Sequence, residues 1–176
     1  NREASGRRLC EESGATLVPP YDHPWIIAGQ GTSALELMEE VGSLDTLAVC
    51  VGGGGLVSGS AIAAKSINPK IRVIGVEPSG APKLSKALAA GEPVVLPHTE
   101  SIADGLLAVR IGTTNFAHHQ AFLDQVVTVD DADMVRAMRL LLDRAKLVAE
   151  PSGAIAVAGK GGAQRVIVAA MPKIRA

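Results

Sequence analysis

Aromatic residues are almost absent from this sequence. Its 176 residues include one Trp, one Tyr and two Phe, although hydrophobic residues make up 47% of the chain. The core must therefore be built from Ala, Val, Leu and Ile, a composition typical of parallel sheets buried between helices. The length suits one domain with a sizeable core.

An excess of charge of either sign is also missing. Seventeen Lys and Arg stand against eighteen Asp and Glu, which gives a formal net charge of −1. Such a chain has no broad field to attract nucleic acid or anionic lipid. The sequence therefore predicts neither nucleic acid nor a membrane surface as a partner.

Cysteine is scarce as well. Cys10 and Cys50 form neither a metal-ligand spacing nor a disulfide framework, which fits a reducing cytoplasm. The uncharged run Thr46–Ala64 is interrupted by four glycines, which favours a strand, a loop and a helix over a membrane span. The charged start Asn1–Glu12 is unlike a signal peptide, and we expect it to be internal to a longer protein.

Helical and extended patterns alternate along the chain. This alternation predicts an α/β fold with one open, mainly parallel sheet covered by helices on both faces. The predicted helices span 4–13, 28–41, 56–67, 82–90, 116–123, 131–147 and a segment starting at 151; the predicted strands span 16–18, 47–51, 71–77, 126–129 and 165–170.

The segment VGGGGLVSG, Val51–Gly59, carries the clearest functional signal. A buried strand that runs through glycines into a helix lets backbone N–H groups converge on an anion at the positive helix end. A tight turn would need fewer glycines. The spacing does not match a dinucleotide fingerprint, and no Gly-Lys-Ser/Thr follows as in a Walker loop. The segment therefore predicts a phosphate site.

Five segments together resemble the threonine/serine dehydratase and serine racemase family, which are pyridoxal-phosphate enzymes of fold type II related to tryptophan synthase β. The segments, in order, are PPYDHPWIIAGQGTSALEL, VGGGGLVSG, VIGVEPSGAPK, SIADGL and LVAEPSGAIAVAG. The resemblance covers residues 1–158 and implies the large, cofactor-phosphate-binding domain of such an enzyme. It implies dehydration and deamination of L-threonine or L-serine to a 2-oxo acid and ammonia, with serine racemisation as an alternative.

The resemblance assigns roles to individual residues. The glycine amides and that of Leu56 would bind the phosphate of pyridoxal 5′-phosphate, Tyr21 would line its pocket, and Gly105 would approach the reacting group. Glu150 would lie near the cofactor; the alternative is a carboxylate that only favours a helix N-terminus. Arg2 falls where some relatives contact the substrate carboxylate, although a solvated helix residue is the simpler interpretation. The phosphate ligands are Gly52, Gly53, Gly54, Gly55 and Leu56.

Histidines invite a catalytic interpretation, but none of the four lies in a motif of the family. We expect His23, His98, His118 and His119 to be loop or surface residues, since a catalytic base must be held near its proton. Trp25 is expected to be a packing residue at the start of the AGQG helix.

Two features of the family's pattern are missing. The lysine that would form the Schiff base belongs to a segment upstream of the region matched, and no lysine here has that context. The hydroxyl or thiol expected after the last strand is replaced by Ala169-Ala170-Met171-Pro172. The chain is thus expected to be part of a homo-oligomeric enzyme and inactive alone, or a non-catalytic phosphate-binding relative.

Many relatives also hold a divalent cation near this site. The resemblance assigns its ligands to the positions of Glu77, the Ala81 carbonyl and Lys83. A lysine removes an oxygen ligand and adds repulsion, so we expect no metal here. Lys83 is expected either to form a surface pair with Glu77 or to point to solvent.

Overall fold

A computed structural model describes residues 2–42, 44–159 and 166–169. The helices are α1 (Arg2–Ser13), α2 (Pro24–Val41), α3 (Gly55–Ile67), α4 (Lys83–Ala90), α5 (Thr113–Phe122), α6 (Asp131–Leu140) and α7 (Pro151–Ala158). The strands are β1 (Thr46–Cys50), β2 (Arg72–Pro78), β3 (Gln125–Val129) and β4 (Val166–Ala169). A 3₁₀ turn covers Asp104–Leu106, and a π-helical turn covers Leu141–Ala145.

The four strands form one parallel sheet in the order β3-β2-β1-β4. Strand β1 lies between β2 and β4, and α3 connects β1 to β2. All five residues of β1 are buried, as their apolar character predicts for a central strand. The predicted open parallel sheet is confirmed.

Successive residues of a strand point to opposite sides of the sheet, and helices cover both sides. Leu47 and Val49 belong to a core that includes residues of α2 and α3, whereas Ala48 belongs to a second core with Met134 of α6 and Ile155 of α7. The expected helical layers therefore lie on both faces. Among the described residues, no helix combines the length and apolar character needed to cross a membrane.

Helices α2 and α3 approach at the level of their backbones. A Cβ at Gly31 would lie 2.9 Å from the Gly59 carbonyl oxygen, and one at Gly59 would overlap the Ile27 carbonyl oxygen. The absence of side chains at these two positions brings the helices together. This contact fixes α3, and with it the loop that precedes α3.

Several predicted elements differ from the observed ones. Helix α2 begins at Pro24 instead of 28, because the His23 side chain accepts a hydrogen bond from Trp25 N and Pro24 suits the first helical position. The predicted strand 16–18 is irregular, since Leu17 and Val18 remain exposed and pair with no strand. Helix α6 ends at Leu140, followed by the π-helical turn.

Candidate functional site

The segment Gly52–Gly55, termed the glycine loop, follows the carboxyl end of β1 and leads into α3. The chain passes from β1 outward to β2 and β3 and then returns to place β4 on the other side of β1, so the strand order reverses between β1 and β4. In open parallel sheets, ligands bind outside the carboxyl ends of strands at such a reversal of strand order. The glycine loop therefore occupies the expected ligand crevice.

Neighbouring groups explain why this loop consists of glycines. A Cβ at Gly53 would overlap the ring of Tyr21, and one at Gly54 would lie 2.6 Å from His119 Cε1. Gly54 also has φ of +105°, which disfavours other residues. A Cβ at Gly52 would lie 3.2 Å from the Gly105 carbonyl oxygen. The structure thus brings Tyr21 and Gly105, two predicted site residues, against the loop.

Two of the loop's carbonyl oxygens accept hydrogen bonds, whereas its amides donate none within the part of the chain that the structure describes. Gly53 O accepts hydrogen bonds from Gly112 N and Asn115 Nδ2, both at 3.1 Å. Gly54 O accepts one from Ser58 N at 3.0 Å. Within the described part of the chain, no acceptor pairs with the amides of residues 52–56. Five free amides at the positive end of α3 form a site for an anion such as phosphate.

His119 is not a surface residue as we expected. It lies in α5 with 1% of its surface exposed, and its Nε2 is 3.2 Å from Gly54 O and 3.0 Å from Ser58 Oγ. Burial lowers the pKa of His119 to about 4, so the imidazole is neutral at pH 7. The expectation was wrong because residues 113–122 form a helix, which places His119 on the same face as buried Asn115 and Phe116. The helical spacing of these three residues could have indicated that His119 is buried.

The other histidines and Trp25 lie outside this arrangement. His23 caps α2, His98 lies in a loop, and His118 is half-buried in α5, so the expected loop or surface setting does not hold for His118. Trp25 is 83% exposed and packs only the edge of its ring against His23, which corrects the expected packing role.

Asp22 anchors the segment that carries Tyr21. Its carboxylate accepts hydrogen bonds from Thr113 N at 2.9 Å and Thr114 N at 3.0 Å, which caps the start of α5. A Cβ at Gly112 would overlap this carboxylate. Sequence reasoning missed this contact because the capping residue lies far from α5 along the chain.

The turn that contains Gly105 connects the glycine loop to α7. Gly105 N donates a hydrogen bond to buried Ser152 Oγ at 3.2 Å. Glu150 occupies the N-cap position of α7 without a side-chain capping bond, and its Oε1 lies 4.0 Å from a Cβ built at Gly105. Glu150 thus stands at the helix N-terminus and beside the predicted cofactor site. Arg2 is in α1, and its side chain lies outside the described residues, as do Ala170-Met171-Pro172.

Lys83 and Glu77 form a buried pair, which corrects the expected surface pair or solvent-facing lysine. Neither side chain is exposed, and Nζ lies 3.9 Å from Glu77 Oε2. The ammonium donates to Ala81 O at 3.2 Å and Leu106 O at 2.9 Å. Burial lowers the pKa of Lys83 to about 8, although Glu77 opposes this shift. The ammonium therefore lies among the oxygens expected to be cation ligands.

The remaining bonds of Glu77 show how the buried carboxylate is stabilised. Its two oxygens accept hydrogen bonds from Leu84 N at 2.9 Å and Ser85 N at 2.8 Å, at the start of α4. These amides have no partner within the helix, and the helix dipole favours a carboxylate there. Glu77 thus joins the carboxyl end of β2 to α4.

The geometry defines a class of protein: an open parallel α/β domain with a glycine loop at the carboxyl end of a central strand. Residues 1–167 match the family described as pyridoxal-phosphate dependent enzyme. This chain belongs to that family.

Individual relatives agree with this assignment. The chain is 45% identical over 159 residues to L-threo-3-hydroxyaspartate ammonia-lyase of Saccharomyces cerevisiae, covering 90% of this chain and 49% of the relative. It is 46% identical to the biosynthetic L-threonine dehydratase of Escherichia coli, covering 89% of this chain and 30% of the relative. The chain thus spans half or less of the length of these relatives.

Solved structures give the same picture. A threonine deaminase from T.th. superimposes with a TM-score of 0.91 at 36% identity, covering 97% of this chain and 61% of that one. The maize serine racemase superimposes with a TM-score of 0.89 at 40% identity, covering 97% and 55%. Both the dehydratase and the racemase interpretation of the sequence are consistent with these matches.

Proposed function

We propose that this chain is the cofactor-phosphate-binding part of a pyridoxal-5′-phosphate-dependent ammonia-lyase that converts L-threonine or L-serine to a 2-oxo acid and ammonia. The observation that carries the proposal is the set of free amides between Gly52 and Leu56. These donors match the oxygens of a phosphate monoester.

The chain's own residues would hold and orient the cofactor. The loop amides would bind the phosphate, Tyr21 would bound the pocket over Gly53, and the Gly105 turn would form its opposite wall near Glu150. When bound, pyridoxal phosphate supplies an electron sink for bonds at the substrate's α carbon. The family's Schiff-base lysine would come from a part of the enzyme outside this chain.

Two of the described lysines support that last point. Lys83 is fully buried, and Lys65 Nζ is engaged by Ile71 O and Asp124 Oδ2 at 2.6 and 2.7 Å. A lysine that is to react with an aldehyde must be free and accessible. Neither of these side chains meets that condition.

The substrate class follows from the relatives' names. Threonine, serine and 3-hydroxyaspartate are β-hydroxy amino acids, and the relatives named for them are 45–46% identical to this chain. Serine racemases of Oryza sativa are also 45% identical to this chain, so racemisation is a second candidate function. The product that the full-length enzyme forms distinguishes the two functions: an ammonia-lyase forms a 2-oxo acid, whereas a racemase forms D-serine.

We also propose a cytoplasmic, homo-oligomeric enzyme, and the cysteines support the compartment. Cys10 and Cys50 are both free thiols, and burial raises the pKa of Cys50 to about 11, so it resists oxidation. Light scattering of the full-length protein tests the oligomer.

A non-catalytic relative would instead have an intact mass near 18.1 kDa, whereas a mass well above this value supports the enzyme.

Gly53→Asp tests the proposed phosphate site. The introduced carboxylate would displace Tyr21 and repel the phosphate, and we expect the affinity for pyridoxal 5′-phosphate to fall more than about 100-fold. Equilibrium dialysis measures it. Gly29→Asp adds the same charge where nothing lies within 4 Å of the new Cβ, and it serves as the control. Undiminished affinity in Gly53→Asp would reject the assignment.

A further inference from the structure

The carbonyl oxygens of the glycine loop face helix α5. Asn115 Nδ2 donates to Gly53 O at 3.1 Å and to Tyr21 O at 3.3 Å. One turn further along α5, His119 Nε2 lies 3.2 Å from Gly54 O. Asn115 and His119 are 0% and 1% exposed. Two buried side chains of one helix thus hold two successive carbonyls of the loop.

Because the peptide unit is planar, holding a carbonyl oxygen also fixes the direction of the next residue's N–H. In a trans peptide, the carbonyl of one residue and the N–H of the next point in opposite directions. Asn115, by holding Gly53 O towards α5, therefore directs the Gly54 N–H away from α5. His119, by holding Gly54 O, does the same for the Gly55 N–H. A run of glycines has little intrinsic preference for such an orientation. The backbone donors Gly112 N and Ser58 N also bond these two carbonyls, and Asn115 and His119 add a side-chain restraint to each.

The protonation of His119 suits this role. Gly54 O can only accept a hydrogen bond, so a hydrogen bond between it and His119 requires the proton on Nε2; Ser58 Oγ lies 3.0 Å from the same nitrogen. Among the described residues, Nδ1 has no hydrogen-bond partner. The buried ring is neutral at pH 7, as its lowered pKa requires. His119 is therefore a fixed, uncharged donor behind the loop.

We propose that Asn115 and His119 are positioning residues that orient the Gly54 and Gly55 amides and thereby set the loop's affinity for phosphate. The proposal rests on the proposed function, because it assumes that these amides bind phosphate. Both residues belong to α5, which lies outside all the sequence motifs that predicted the site.

The test combines two measurements on the ¹⁵N-labelled 176-residue chain. Residual dipolar couplings report the Gly54 and Gly55 N–H orientations without ligand, and titration with inorganic phosphate gives the dissociation constant from the shifts of these amides. The variants are His119→Leu, which removes the donor, and His119→Gln, whose amide restores it. His118→Leu, at a half-buried neighbour on α5 that makes no hydrogen bond to the loop among the described residues, is the matched control.

We expect His119→Leu to change the Gly55 coupling and to weaken phosphate binding about tenfold or more, the usual effect of losing one buried hydrogen bond. His119→Gln and His118→Leu should stay within about threefold of the wild type by the same reasoning. Asn115→Ser, whose hydroxyl is too short to reach both carbonyls, should change the Gly54 coupling and provides a second route if His119→Leu does not fold.

Unchanged couplings in the donor-removing variants would overturn the proposal, as would altered couplings with unchanged phosphate affinity. Equal losses in His119→Leu, His119→Gln and His118→Leu would also overturn it, because they would indicate a general structural effect. If the wild type itself bound no phosphate at these amides, the proposed function would fail, whereas the couplings would still decide whether α5 orients the loop.

Discussion

His119 is buried without charge, and this makes stability depend on pH. The unfolded imidazole binds a proton near pH 6.5, whereas burial lowers the pKa of the folded one to about 4. Between these values the unfolded state binds more protons, so the free energy of unfolding falls as the pH falls. At pH 4 the loss from this residue is on the order of 3 kcal/mol.

Urea denaturation at pH 7 and pH 4 measures this loss. His119→Gln should lower stability at pH 7 yet lose less on acidification than the wild type, because the titrating group is gone. His98→Gln, in an exposed loop, is the control. An identical loss on acidification in His119→Gln and in the wild type would contradict the prediction.

The buried ammonium of Lys83 bears on metal binding. It donates to Ala81 O and faces Glu77, so a cation at these oxygens would have to displace it. A hard cation needs several oxygen ligands and gains nothing from a neighbouring ammonium. We therefore expect titration calorimetry of Mg²⁺ or Ca²⁺ against the protein to show no tight site. Tight binding that disappears in Glu77→Ala would refute this expectation.

Helices α2 and α3 illustrate packing that depends on the absence of a side chain. Gly59→Ala would force its Cβ into the Ile27 carbonyl oxygen, so the helices would have to separate. We expect a loss of stability of about 2 kcal/mol or more, typical of overpacking. Gly29→Ala, in the same helix pair but with nothing within 4 Å, should gain about 0.5–1 kcal/mol from helix propensity. Thermal unfolding compares the two, and equal effects would contradict this packing argument.

Elements with strong patterns could be predicted from the sequence. The all-apolar run that became β1 and the glycines after it predicted both the strand and the loop. Helix α5 was placed only approximately, because its hydrophobic residues do not form one face; its buried face includes Asn115 and His119. Polar residues buried by a backbone contact leave no apolar pattern, so only the helical spacing of Asn115, Phe116 and His119 could have indicated this side of the site.

Contacts between distant segments also limited what could be predicted from the sequence. The Asp22 cap of α5 and the Lys83 contact with Leu106 O join segments whose sequences carry no sign of each other. Burial of Lys83 depends on acceptors from two different loops, and without them a solvent-facing lysine is the ordinary expectation. The family resemblance supplied Tyr21 and Gly105, which composition and periodicity alone did not indicate.

At the scale of the whole molecule, the chain carries the proposed phosphate site, and none of its lysines has the sequence context that the resemblance implies for the Schiff-base lysine. We expect the 176-residue polypeptide with pyridoxal phosphate and borohydride to yield no stoichiometric adduct at a single lysine. Peptide mass mapping after reduction tests this, and scattered substoichiometric labelling of exposed lysines is the expected background. A full adduct at Lys65 or Lys146 would contradict the prediction.

The pairing of β1 with β4 has a consequence for synthesis on the ribosome. Thr46 pairs with Val166, so one edge of β1 gains its partner only after the long intervening segment has been made. Until then, an apolar strand presents unpaired N–H and C=O groups, which are a template for pairing with another chain. The nascent chain is therefore most prone to aggregate just before β4 emerges, and a chaperone that shields β1 would act in that interval.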